Sequence, residues 1–461
     1  MPPPPLGKIV LIATIPFLSN GVASYFLVPL SIAFGRRPVL LVAALTAVAG
    51  GLWAGLSNSL DQHIAARVLG GLGAGAVEAL IPLIVQDMVF IHQRNKAMSA
   101  IISSQGLIII GLGIASPYVA ANYTWRWLYY ITSGFGFIAW LLLVAFLPET
   151  RWTRSKEELG RLRHALSVGT APANTHVAGQ RLWPLRPGQD RPDLDPETYG
   201  PRTLWTNIGI LQFGTEWKHA GRSMLNTLRT TFFPTVIWCV LTNTVFIVAN
   251  QGVQQIAAFA LVAQGWEFQY TGLSVIPFFA ASIMVYAFAG PIADWTSNAL
   301  TRWNGGHREP EHHLVNLIFP FVAGVAGCFV FGYAGQNNLH WAILLTGSFL
   351  IIFGFLTIMS LFNVFIVESY PMWAGPVLVN VSSLRLVISF FLSSQATLWI
   401  QQMGMMQTFT IYAEAMIVLS LGIPLLYFFG KKLRQKTAGK VHGVREEKRA
   451  VAGSETGSGK Y

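Results

Sequence analysis

Residues 30–41 read L-S-I-A-F-G-R-R-P-V-L-L, a short basic turn between two long apolar runs. Gly35 can adopt the positive φ that a chain reversal requires, because it has no Cβ. Arg36 and Arg37 are costly in hydrocarbon, so they mark a membrane–water boundary. Pro38 suits the first turn of the next helix, where a missing N–H is tolerated. The stretch therefore predicts two membrane helices joined by a loop on the cytoplasmic side, where short basic loops accumulate.

The composition indicates a membrane protein. The chain has 461 residues, of which 53% are hydrophobic and only 11% are charged, whereas soluble domains carry about 25% charged residues. The net charge of +11 is assigned to basic loops and a basic tail. No basic stripe with interleaved aromatics is present, so we expect no nucleic-acid partner. Cys239 and Cys328 both lie in apolar runs, which predicts neither a disulfide nor a metal site.

Apolar segments long enough to cross a bilayer recur along the whole chain. We predict spans at 9–31, 38–57, 64–88, 98–121, 127–147, 232–262, 271–291, 313–334, 341–366, 376–400 and 408–429. Alternating from an inner 30–41 turn places the connector 151–229 and the tail after residue 430 inside, where most of the loop arginines and lysines then fall. The C-terminus is therefore expected in the cytoplasm.

The long polar stretch divides the chain into two halves. We predict an N-terminal bundle of five helices over 1–150 and a C-terminal bundle of six over 231–430. The region between them, 151–230, is rich in Pro, Gly and Arg and is expected to be a largely disordered cytoplasmic linker. Short helices at 156–166 and 215–229 are expected within it, the second lying along the membrane surface. Residues 431–461 form a basic cytoplasmic tail.

Several motifs resemble those of the major facilitator superfamily, in the fungal drug:proton-antiporter-like branch. F-G-R-R-P at 34–38 resembles the loop between the family's second and third helices, and G-P-I-A-D-W at 290–295 resembles the equivalent loop in the second half. R-V-L-G-G-L-G-A-G at 67–75 is similar to the family's fourth-helix motif, which includes Arg67 and Gly71. The resemblance implies a major facilitator fold of two helical bundles, in which Gly35, Arg36, Arg37, Gly290 and Asp294 belong to gating loops that latch the halves.

The departures from the family pattern are specific. By motif alignment the span at 9–31 corresponds to the family's second helix, so about eleven spans are expected instead of twelve, with the first helix missing. The 34–38 motif lacks its usual acidic residue, which predicts a weaker latch in the first half. G-L-G-I-A-S-P at 111–117 is similar to the antiporter motif of the fifth helix but has Ser116 where Gly is usual, which weakens the inference of export.

The helix around 64–88 carries Glu78 in an apolar setting, where an ionisable residue is a functional candidate. Glu78 lies eleven residues from Arg67, about three turns along nearly the same helix face. Its carboxylate can bind a proton or a cationic substrate, and a structural polar contact is the alternative. Gly71 and Gly75 form a small-x-x-x-small face that allows another helix to approach closely.

Polar residues also mark the second half. Asn243, Asn250 and Gln254 fall on one stripe of the 232–262 helix, by spacings of seven and four. We interpret the stripe as a wall of a central cavity, with interhelical amide bonds as the alternative. The resemblance places this helix among those that line the family's cavity, and Asn363 on another of them. Arg385 and Glu414 lie in the last two spans and are candidates to pair with each other.

One sequence signal falls outside the membrane core. Asn122-Tyr-Thr124 is a glycosylation sequon on the predicted outer side, although its closeness to the membrane argues against its use. No nucleotide-binding sequence and no nucleophile–base or metal constellation occurs, so we expect neither a cofactor nor an enzyme.

The sequence therefore predicts a monomeric secondary transporter in the plasma membrane that moves a small organic molecule by alternating access. The resemblance implies proton-coupled efflux of a drug or secondary metabolite. The protons, the substrate and the lipid bilayer are its expected partners. An importer of a polyamine, siderophore or sugar is an alternative, as is a truncated sensor or scaffold that no longer transports.

Overall fold

The computed structural model describes residues 6–89, 94–147, 217–303, 309–370 and 373–438, and these are mainly helical. Ten of the described helical segments are long and apolar enough to cross a membrane. The remaining predicted span, 98–121, lies within a helix of 29 residues, and about 20 residues suffice for a bilayer. The predicted all-α polytopic architecture is confirmed.

Five helices form the first half. They are α1 (Leu6–Phe34), α2 (Arg36–Leu56), α3 (Leu60–Met88), α4 (Arg94–Asn122) and α5 (Trp125–Phe146). Helix α3 packs against both α1 and α2, and α2 packs against α5. The first half therefore has α3 at its centre.

The second half begins with an amphipathic helix and continues with the remaining membrane segments. Its helices are α6 (Trp217–Thr230), α7 (Pro234–Ala263), α8 (Ile276–Ala287), α9 (Ala293–Trp303), α10 (His312–Val315), α11 (Ile318–Gln336), α12 (Trp341–Ser369), α13 (Ala374–Met403), α14 (Met405–Ser420) and α15 (Gly422–Ala438). A 3₁₀ segment, Phe268–Val275, leads directly into α8. The predicted helix at 215–229 corresponds to α6. The predicted helix at 156–166 and the rest of the linker and tail lie outside the described residues.

Helix α3 packs so closely against α1 and α2 that its glycines have no room for a Cβ atom at the contacts. A Cβ placed on Gly75 would lie 2.6 Å from the Ala23 Cβ of α1, and one on Gly73 would lie 2.3 Å from the Ala47 backbone nitrogen of α2. The Ser24 hydroxyl of α1 uses this closeness to donate a hydrogen bond to the Gly75 carbonyl at 2.8 Å. The small-residue face predicted on this helix is thus the surface on which α1 packs.

The two halves meet along two main seams. On one side α1 packs against α13, so closely that a Cβ on Gly21 would lie 2.8 Å from the Ser383 carbonyl oxygen. On the other side α4 packs against α8 and the 3₁₀ segment, and the Ser103 hydroxyl donates to the Ser282 carbonyl at 2.8 Å. Helix α3 reaches α13 between these two seams.

The sequence prediction of a loop at 290–295 is wrong. Phe288–Ile292 forms a single π-helical turn, and the chain then continues as α9 to Trp303. Pro291 lacks the N–H that a regular α-helix needs at this point, and the wider turn accommodates that loss. The two family-like motifs therefore differ in structure, because Gly35 forms a true reversal with φ of 105°.

Candidate functional site

An ion pair between the two halves is the central polar feature. The Arg385 guanidinium on α13 binds the Glu78 carboxylate on α3 through Nη2 and Oε2. The Arg385 side chain is 4% exposed and that of Glu78 is 21% exposed, so the pair is largely withdrawn from solvent. Breaking a buried pair by removing one partner costs about 3–5 kcal/mol, which makes this contact a strong link between the halves.

The pair lies near the middle of the membrane. Glu78 precedes the end of α3 at Met88 by ten residues, and Arg385 follows the start of α13 at Ala374 by eleven. At 1.5 Å per residue both lie about 15–17 Å from the helix ends on the predicted cytoplasmic side. The hydrocarbon core is about 30 Å thick, so both charges are close to its midplane.

Hydroxyl groups hold the backbone around the ion pair. The Ser389 hydroxyl donates to the Arg385 carbonyl at 2.5 Å, and the Thr244 hydroxyl of α7 reaches the same oxygen at 3.5 Å. The Ser382 hydroxyl lies 3.4 Å from the Glu78 carbonyl oxygen across the seam. Arg385 is thereby fixed against α7 as well as α3.

One expectation about these charges is wrong. Arg385 pairs with Glu78 and not with Glu414, whose side chain is exposed on α14. Arg67, which lies on nearly the same face of α3 as Glu78, is about 16 Å farther along the helix. Its guanidinium lies 5.6 Å from the centre of the Tyr129 ring of α5. The arginine partner of Glu78 comes from the other half of the chain.

The exposed fraction of the side chains varies along the predicted polar stripe of α7. Asn243 and Asn250 are 1% and 2% exposed, whereas Gln254 is exposed. The Asn243 amide donates to the Cys239 carbonyl at 3.0 Å, and its side-chain oxygen has no hydrogen-bond partner in the structure. Asn363 on α12 is likewise buried. The role of this stripe as a cavity wall remains a prediction.

The two family-like motifs contact different parts of the molecule. The Arg37 side chain is buried and donates to the Val144 carbonyl at 2.7 Å, in the last turn of α5, where carbonyls lack intrahelical partners. Arg36 lies 3.5 Å from the Leu83 carbonyl near the end of α3. In the second half, a Cβ on Gly290 would lie 2.7 Å from the Ser99 hydroxyl of α4, and Asp294 stands in the first turn of α9.

Charged contacts tie the last helix to the segment before α10. The Arg434 guanidinium binds the Glu311 carboxylate at 2.5 and 2.7 Å. The Lys431 ammonium binds the Glu309 carboxylate at 2.8 Å, and this hydrogen bond lowers the pKa of Glu309 below its usual value. These pairs hold α15 against the predicted cytoplasmic end of the second half.

Asn380 on α13 is a further buried polar residue, which was not among the predicted site residues. Its amide donates to the Thr227 carbonyl at 2.7 Å and to the Thr230 hydroxyl at 2.8 Å. Its oxygen accepts from the Thr231 hydroxyl at 3.0 Å. Asn380 therefore fastens the end of α6 to α13. The polar run N-V-S-S-L-R at 380–385, inside an otherwise apolar helix, was the available signal.

On the predicted outer side, Asn122 is the last residue of α4 and is exposed. Its amide donates to the Tyr118 carbonyl at 2.9 Å. Glycosylation at this position remains a prediction. Among the described residues no group of three or more His, Cys, Asp or Glu side chains could hold a metal ion.

These features define an integral membrane protein of two helical halves with a charged contact between them. The family model of the Major Facilitator Superfamily matches residues 7–378, and the chain belongs to that superfamily. It is accordingly a transporter and not an enzyme.

Named relatives and a solved structure agree with this assignment. The chain is 22% identical to the uncharacterized MFS-type transporter C1271.10c of Schizosaccharomyces pombe, over 92% of this chain and 77% of the relative. It is also 22% identical to the efflux pump vrtL of Penicillium aethiopicum, over 93% of this chain and 78% of that protein. The fold is similar to that of the proton:xylose symporter XylE of E. coli, with a TM-score of 0.60, 14% identity and coverage of 92% and 86%.

Proposed function

We propose that the protein exports a small organic molecule, a drug or secondary metabolite, in exchange for protons. The Glu78–Arg385 ion pair is the observation on which the proposal depends. Similarity to a fungal protein named as an efflux pump supports the outward direction over import.

The ion pair connects the elements that must separate during alternating access. Glu78 belongs to α3 of the first half and Arg385 to α13 of the second, and transporters of this type rock their halves about a site at the midplane. Protonation of the Glu78 carboxylate cancels its attraction for Arg385. A bound proton therefore favours separation of α3 from α13, and loss of the proton restores the contact.

The surroundings of the pair suit a polar contact with substrate. The buried Arg385 Nε and Asn243 Oδ1 have no hydrogen-bond partners in the structure, and unsatisfied buried groups are costly. A substrate that offers both an acceptor and a donor can satisfy them. In this proposal four polar side chains contact the substrate, namely Asn243, Asn250, Gln254 and Asn363. Three glycines lie where helices move against one another during gating, namely Gly35, Gly71 and Gly290.

The experiment measures uptake of ethidium, a fluorescent organic cation, into inside-out vesicles with an imposed pH gradient. We expect wild-type uptake to follow the gradient and Glu78→Gln uptake to be independent of it. The matched control is Glu414→Gln, which removes an exposed carboxylate from α14 and should keep the wild-type dependence. Gradient-dependent uptake by Glu78→Gln at the wild-type level would exclude Glu78 from coupling.

We infer that the protein acts as a monomer in the plasma membrane, with α15 and the tail in the cytoplasm. The basic residues Lys431, Lys432 and Arg434 on α15 support this side by the positive-inside rule. A fluorescent protein fused after residue 461 tests the membrane location and the side of the tail. Fluorescence at the cell periphery that is quenched only after permeabilisation is the expected result.

A further inference from the structure

Helix α6 lies at the junction of the two halves. It ends at Thr230, and α7 begins only a few residues later at Pro234, so it lies where the chain enters the membrane. The Trp217 ring at its start packs edge-on against Phe34 of α1, with 5.1 Å between ring centres. Its end is held by Asn380 of α13. A single helix of 14 residues therefore contacts both halves.

The exposed side of α6 is divided into an apolar and a basic edge. With 100° between successive residues, Trp217, Leu228 and Leu225 fall within about 80° of one another. Their side chains are 58%, 50% and 39% exposed. The next arc, about 40° wide, holds the exposed Lys218 and Arg222 together with Arg229.

The opposite side of the helix is already occupied. Ala220, Asn226, Thr227 and Thr230 are buried against the α1 and α13 surface on which α6 packs. Within the part of the chain that the structure describes, the exposed arc therefore forms a second face of α6, and Trp217 at its edge also touches Phe34. We name it the α6 outer face, consisting of Trp217, Lys218, Arg222, Leu225, Leu228 and Arg229.

We propose that the α6 outer face binds the headgroups of anionic phospholipids and that this lipid clamps α1 to α13. Apolar side chains beside lysine and arginine are the pattern of a helix that lies in the membrane interface. The covalent continuation into α7 holds the face at the depth of the headgroups. Each basic residue near an anionic surface contributes about a fivefold gain in affinity.

The consequence for the protein follows from the contacts that α6 makes with α1 and α13. A lipid that immobilises α6 also immobilises Trp217 against Phe34 and Thr230 against Asn380. Both contacts lie on the side of the molecule where α1 packs against α13. Anionic lipid should therefore raise the thermal stability of the whole protein, and the effect should weaken at high ionic strength.

The test compares the purified full-length protein in nanodiscs of phosphatidylcholine alone and of phosphatidylcholine with phosphatidylserine. Phosphatidylserine should raise the wild-type unfolding midpoint. The double variant Lys218→Gln/Arg222→Gln should bind phosphatidylserine about 30-fold more weakly and lose the midpoint increase. It should remain folded in phosphatidylcholine, because both side chains point away from the protein.

The matched control removes the same number of charges elsewhere. Lys432→Gln/Lys436→Gln changes two exposed residues of α15 and should keep the wild-type response. If the control and the α6 variant lost the midpoint increase equally, the cause would be non-specific attraction to net charge, and the proposal would be wrong. A wild-type midpoint that is the same in both nanodiscs, or a full response in the α6 variant, would overturn it directly.

Discussion

The contact between α2 and α3 allows a stringent test of the packing argument, because a Cβ would fit at one glycine of α3 and collide at another. A Cβ on Gly73 would lie 2.3 Å from the Ala47 nitrogen and 2.4 Å from the Ala43 oxygen, both backbone atoms. A Cβ on Gly70 would have nothing within 4 Å. Both positions gain about 1 kcal/mol of helix propensity on substitution by alanine.

The difference between Gly73→Ala and Gly70→Ala therefore isolates the steric conflict. Ordinary contact begins at 3.4 Å, so α2 and α3 would have to move apart by about 1 Å. Overpacking of this kind costs about 1–3 kcal/mol. We expect Gly70→Ala to unfold at or above the wild-type temperature and Gly73→Ala to be less stable than Gly70→Ala by about 1–3 kcal/mol.

The measurement is the unfolding midpoint of the purified variants, followed by tryptophan fluorescence in one detergent. Expression level and oligomeric state are compared first, so that the midpoints refer to the same species. If Gly73→Ala were as stable as Gly70→Ala, the close approach of α2 and α3 and the reasoning from it would be refuted.

Two further predictions concern the predicted cytoplasmic side. Replacing Arg37 by Lys should lower the free energy of unfolding by about 1.5–3 kcal/mol, the contribution of a charged hydrogen bond, because the shorter side chain loses its contact with the end of α5. Arg36→Lys should cost less, and thermal unfolding of both variants measures the difference. The lowered pKa of Glu309 means that its pairing stabilises the protein above the usual glutamate range and is lost as the pH falls through the lowered value. The unfolding midpoints of the wild type and Glu309→Gln should therefore differ at neutral pH and converge in acid, and an unchanged difference at low pH would contradict the assignment.

Much of the architecture could be predicted from the sequence because membrane spans are local patterns. The span predicted at 9–31 lies within Leu6–Phe34, and the one predicted at 341–366 lies within Trp341–Ser369. The helices extend a few residues past the apolar core, where polar ends reach the interface. Gly35 was also predictable, because the need for positive φ depends only on neighbouring residues.

The partners of charged residues could not be predicted in the same way. Glu78 and Arg385 are separated by 307 residues, and only the packing of α3 on α13 brings them together. Glu414 was the candidate partner of Arg385 because both lie in the last two predicted spans, and that choice was wrong. The helical path through Pro291 was missed because a π-helical turn leaves no distinctive pattern of residues.

The uneven burial of the membrane helices has a consequence for sequence variation. In the apolar stretch of α5 only 6% of residues are buried, whereas in that of α12 the share is 83%. Few side chains in this stretch of α5 are enclosed by neighbours, so away from the contact with α2 one apolar residue there can replace another with little effect. In α12 each side chain must fit its neighbours, and a change of one methylene is felt. Among orthologues the sequence of α5 should vary more while remaining apolar. The sequence of α12 should change slowly, and its changes should accompany changes in the helices that pack against it.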